Sequence, residues 1–102
     1  MIAIFNSLPV KEGAADRVVE RFAESRGHVQ DFPGFVSMEV LRSEAGDEVL
    51  VVTRWESRDA FDSWVGSDEF KKAHGRSGGG DLLRGHPQMS AYDVAVERDA
   101  ER

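Results

Sequence analysis

Glu48-Val49-Leu50-Val51-Val52-Thr53-Arg54-Trp55 is the stretch on which the fold turns. Successive side chains of a strand point to opposite sides, so a sheet with one solvated face shows strict alternation of apolar and polar residues. Val49 to Val52 are apolar on both sides, and both faces of their sheet therefore need cover. The chain supplies two long helical segments, which in this order lie on the same face. The other face is left to a second copy, and the sequence predicts a homodimer.

Upstream, Ala45-Gly46-Asp47 reads as a turn joining strand 48–55 to a strand over about 35–42, an antiparallel hairpin. Phe32-Pro33-Gly34 breaks what precedes it, because proline removes a donor and disfavours helix in the residue before it. The preceding helix is predicted over roughly 14–30, with Ala15, Val18, Val19, Phe22 and Val29 as its buried stripe. Residues 2–8 form a strand in which Ile2, Ile4, Asn6 and Leu8 share one side, so Asn6 interrupts an apolar row.

Downstream, Ser57 is an N-cap with Asp59 in the first turn, where negative charge suits the helix dipole. Ala60, Phe61, Trp64 and Val65 are predicted along one side of that helix. A pause at Gly66-Ser67 and a second cap at Ser67 start a short helix carrying Phe70 and His74 at i and i+4. Residues 75–88 lack periodicity and read as a long mobile loop, and a last strand spans about 89–97. The order is βαββαβ, a ferredoxin-like α+β sandwich forming one domain over 1–97, with a charged tail at 98–102.

The 102 residues suffice for one domain and leave no room for a separate cofactor domain. Nineteen acidic and thirteen basic side chains give a net charge of −6, which argues against nucleic acid and against anionic membranes as partners. Cysteine is absent, which removes disulfides, thiolate catalysis and thiolate metal sites. The amino end resembles no leader, and no run of about 18 apolar residues occurs. A cytoplasmic protein is expected.

Three residues could carry chemistry. His74, beside a glycine-rich segment, is either a hydrogen-bonded helix terminus, the commoner case, or a ligand; a neutral imidazole is a competent axial ligand for haem iron. Asn6 is either satisfied by backbone at the sheet margin or offers its amide to a ligand, since an unpaired buried amide costs about 1–3 kcal/mol. Trp64 is either a core anchor or a pocket wall. Met38 and Met89 need only packing roles, His28 and His86 read as solvated, and Arg76 and Arg84 could meet ligand carboxylates. The glycines at 78–80 are followed by no Lys-Ser or Lys-Thr, so a P-loop fails.

Taken together, Asn6, Gly13, Phe32-Pro33-Gly34-Phe35, Arg54-Trp55-Glu56-Ser57 and the segment from Trp64 through Ser67-Asp68, Phe70 and Ala73-His74 are similar to the IsdG-type haem-degrading monooxygenases. These form part of the antibiotic biosynthesis monooxygenase (ABM) superfamily, and the resemblance covers residues 1 to about 97. It implies two sheets joined in a dimeric β-barrel with one haem site per subunit. It implies His74 as the iron ligand, Asn6 as the distal hydrogen-bond donor and Trp64 as the residue that presses on the porphyrin. Phe70 would complete the haem-binding set, joined on chemical grounds alone by Arg76 facing a propionate carboxylate.

In that reading haem is cofactor and substrate at once: dioxygen and electrons from an external reductase open the ring at a meso carbon and release iron. Two alternatives remain at this point. One is a cofactor-free ABM monooxygenase that forms quinones from polycyclic aromatics. The other is a haem-binding or haem-transfer protein without turnover.

Overall fold

The computed structural model describes residues 1–24, 29–75 and 81–100, with no side-chain description at 72–75. Its elements are β1 (Ile2–Pro9), α1 (Ala15–Glu24), a 3-10 turn (Val29–Asp31), β2 (Phe35–Arg42), β3 (Glu48–Trp55), α2 (Arg58–Val65), α3 (Asp68–Gly75) and β4 (Gln88–Asp93). The strands form one antiparallel sheet in the order β2-β3-β1-β4. This is the ferredoxin-like α+β arrangement that the element order predicts. Among the described residues no helix is long and apolar enough to cross a membrane.

Register determines which side chains meet. Ile4 pairs with Thr53, Asn6 with Val51 and Leu8 with Val49, so the even residues of β1 share a face with the odd residues of β3. The helices cover that face in two clusters. At one end α1 lays Ala15 and Val18 onto Leu8, Val49 and Val51, with Val19 and Phe22 partly buried at the margin. At the other, α2 brings Phe61 and Trp64 onto Ile4 and Trp55. The opposite face, with Ala3, Phe5, Leu50 and Val52, carries no helix among the described residues, as the two-faced β3 predicts.

The predicted caps are present. Ser57 is extended (φ −154°, ψ 164°), and its side-chain oxygen accepts from the Ala60 amide at 3.1 Å. Ser67 accepts from the Phe70 amide at 3.2 Å and donates to the Trp64 carbonyl at 2.6 Å, so one hydroxyl ends α2 and starts α3. Each satisfies a helix-end group that would otherwise lack a partner.

Four expectations change. The helix predicted over 14–30 is described only to Glu24; residues 25–28 lie outside the described set, and Val29 belongs to a 3-10 turn packed on the second cluster. There the Phe32 amide bonds the Val29 carbonyl at 3.0 Å, a tight turn suited to a chain that meets Pro33 next. Val65 is 38% exposed rather than on the buried side of α2.

The last strand ends at Asp93, not 97: Asp93 pairs with Ile2 at the start of β1, and the Val94 amide donates to the Met1 carbonyl. Finally, part of the predicted mobile loop is pinned. The Lys11 amide donates to the Leu82 carbonyl, the Arg84 amide to the Pro9 carbonyl, Val10 bridges Leu83, and the Leu82 side chain is buried in the first cluster.

Gly34 is where α2 approaches the sheet most closely. Its φ is +86°, a left-handed value that L side chains rarely adopt, and a β-carbon there would overlap the Ala60 methyl group. Backbone strain and overpacking then act together, so Gly34→Ala is expected to lower stability by about 2–4 kcal/mol. Urea denaturation measures this; a midpoint equal to the parent's contradicts the close packing of α2 on that turn.

Candidate functional site

Asn6 lies between the two helix-side clusters. Its neighbours along β1 on the same face, Ile4 and Leu8, belong one to each cluster. Across the sheet its row runs Met89, Asn6, Val51, Val40, so the only polar side chain in the row is the asparagine. Asn6 is half-buried, and among the described residues its amide has no hydrogen-bond partner, yet none of its polar atoms is sealed from solvent. The satisfied-by-backbone reading thus loses ground. The amide is held on a rigid strand with its donors and acceptor free.

Trp64 is 7% exposed and sits inside an aromatic group. It is near-parallel to Trp55 (30°, 6.3 Å between centroids) and meets Phe32 edge-on at 5.3 Å. Phe70 of α3 meets it edge-on at 5.8 Å, which ties the two helices together. The core-anchor role of Trp64 is therefore present in the fold, whatever else the residue does. Trp55 is fully buried, and its indole N–H donates to the Thr53 hydroxyl at 3.1 Å.

His74 lies in the last turn of α3, one turn beyond Phe70. Its side chain falls outside the description, and Arg76 lies outside the described residues altogether. Phe70 is half-buried through its contact with Trp64. His86 is exposed. Arg84 is not directed at ligand carboxylates: it reaches the Asp47 carbonyl at 3.5 Å and lines a cleft with Arg42 and Asp16 at the β2–β3 turn. Backbone pairing of residue 84 with Pro9 carries it to the end of β1 away from Trp64.

The sequence reading missed Val51 and Met89 as the flanks of Asn6. Their signal is the strand register, which pairs residues 45 and 83 positions apart in the chain, and no local pattern encodes it.

Comparison with known proteins gives three kinds of match. The family described as antibiotic biosynthesis monooxygenase matches residues 1–76, a span that contains Asn6, Trp64 and His74. A heme-degrading monooxygenase of Listeria welshimeri is 40% identical over 87 residues, covering 76% of this chain and 72% of that protein. One of Bacillus thuringiensis is 35% identical over 101 residues, covering 96% and 94%. Among solved structures, the heme-degrader MhuD of Mycobacterium tuberculosis, with two hemes bound in its active site, superposes with a TM-score of 0.80 at 28% identity over 97% of this chain and 100% of that one.

The free amide of Asn6 has a measurable consequence. The amide is reached by solvent and so is not itself a penalty, but a valine there has high strand propensity, a near-matching volume and adds apolar contact to the half-buried row. Asn6→Val is expected to raise the unfolding free energy by about 0.5–1.5 kcal/mol. A loss of stability in thermal or urea unfolding would mean that the amide has a protein partner in solution.

Proposed function

This chain belongs to the antibiotic biosynthesis monooxygenase family, and we propose that it is a haem-degrading monooxygenase for which haem is the substrate. The observation that carries the reading is that relatives at 40% and 35% identity, the second matched over nearly the whole chain, are named for this activity. The chemistry of the Asn6 row agrees. A porphyrin is a broad apolar plate whose iron needs one axial ligand and whose other side needs a hydrogen-bond donor. An apolar row interrupted by a single free amide suits that second side.

In this reading each residue has one task. His74 would hold the iron through its imidazole. Asn6 would donate its amide hydrogen to an oxygen at the iron, and its strand would give the donor a constant direction. Trp64 presses its bulk on the macrocycle; its packing against Trp55, Phe32 and Phe70 leaves it little freedom to yield. Distortion of the ring and hydrogen bonding at the iron are recognised means by which a protein tunes haem. Bound haem supplies the iron that takes up dioxygen once a separate electron donor has reduced it.

The subunit acts in this reading as a homodimer. On the face of the sheet opposite the helices Phe5 and Leu50 are half-buried while Leu41 and Tyr92 are 43% and 58% exposed, and a second copy laid on it buries this apolar surface. Sedimentation is expected to give twice 11.3 kDa, and a single 11.3 kDa species at micromolar concentration rejects this assembly.

The test of the function starts from apoprotein and hemin. The parent is expected to develop a Soret band at one-to-one stoichiometry and to lose it with reductant and oxygen, leaving an open-chain tetrapyrrole identified by mass. His74→Ala is expected to bind hemin at least ~10-fold more weakly, since the axial bond is lost. Asn6→Ala should bind nearly as the parent does but turn over ~10- to 100-fold more slowly. A Soret band that persists under reductant and oxygen would instead identify a haem carrier.

A further inference from the structure

From Val51 toward β4, burial falls along the row that contains Asn6. Val51 is 9% exposed, Asn6 is half-buried, and Met89, on the other side of Asn6, is 58% exposed. The row therefore opens toward β4, and the free amide of Asn6 lies between a closed apolar wall at Val51 and an open one at Met89. Met89 and Asn6 are Cα partners in an antiparallel pair, so their side chains leave the same face, with β-carbons about 4.5–5.5 Å apart. That face is the one the helices cover elsewhere, and on it Met89 stands exposed directly beside Asn6.

Resting on the haem reading above, we propose that Met89 forms with Asn6 the sheet-side floor of the site, its thioether lying against the porphyrin beside the point that Asn6 addresses. Methionine suits the position. It is unbranched and polarizable, and adapts its surface to a flat conjugated plate better than a β-branched residue does. Met38 provides the contrast within the same molecule. It pairs with Thr53 on the same face but on the far edge strand, two strands away from Asn6, and it is 38% exposed.

The probe is zinc protoporphyrin, which binds as a plate but has no redox chemistry of its own in the dark. Wild-type protein, free or saturated with it, is treated with dilute hydrogen peroxide, and sulfoxide at each methionine is followed by peptide mass. Each event transfers one oxygen atom from peroxide to sulfur and releases water. Met89 is expected to oxidise at least ~5-fold more slowly in the complex, while Met1 and Met38 oxidise at unchanged rates.

In parallel titrations Met89→Glu, which sets a carboxylate against the plate, should bind at least ~10-fold more weakly, Met89→Leu within about twofold of the parent, and Met38→Glu as the parent does. Met89 oxidised at the free rate in a saturated complex, or Met89→Glu binding with parental affinity, overturns the inference and leaves the functional reading standing. Absence of any porphyrin binding by the parent overturns both.

Discussion

The stacking of Trp64 on Trp55 is the contact on which the helical layer hangs. Trp55 ends β3 fully buried and Trp64 belongs to α2 beside Phe61, and three other elements reach this pair: β2 through Phe35, the 3-10 region through Phe32 and α3 through Phe70. A tryptophan buries about 150–250 Å², worth roughly 4–6 kcal/mol, and each well-placed aromatic contact adds about 0.5–1.5 kcal/mol. In a domain whose net stability is of order 5–15 kcal/mol, this group is a large share of what keeps α2 and α3 in place. The carriers of the proposed chemistry, Trp64 and the helix bearing His74, are thus positioned by the same packing that stabilises the chain.

A small domain has little room to set aside for a ligand. The helix-side core here is divided rather than continuous, one cluster under α1 and one under α2, with Asn6 on the strand that joins them. A continuous core with valine at that position would be more stable and would have nothing to offer a ligand. The solvent-reached amide is therefore best understood as apolar packing forgone for function. The second such surface is the other face of the sheet: among the described residues the helices all pack on the face of Ile4, Leu8 and Val49.

Much of this was legible from the residues. The βαββαβ order, the hairpin around Gly46 and the hydroxyl caps at Ser57 and Ser67 follow from alternation, turn chemistry and capping, which act over a few residues. The family resemblance was carried by motifs spread over the chain, and the matched span of residues 1–76 includes the three principal site residues. Less legible were features set by distant partners. The pairing of Leu82 and Arg84 with residues 9–11 looked like loop, because two leucines among glycines show no period. Arg84 looked like a candidate for ligand carboxylates until that pairing carried its guanidinium to the Asp47 carbonyl.

The two-faced apolar run Val49 to Val52 determined by itself that the sheet must be covered on both sides, and the chain order determined that its own helices serve only one of them. What only the tertiary structure decided is who stands beside Asn6. Val51 and Met89 reach it through the register of β1 with β3 and β4, and a shift of one residue in either pairing would turn that neighbour to the other face. Register is chosen by the summed burial of whole strands against whole helices, a non-local quantity. The identity of the interrupting amide was therefore visible in the sequence, whereas its neighbours, its lack of a partner and its opening toward β4 were not.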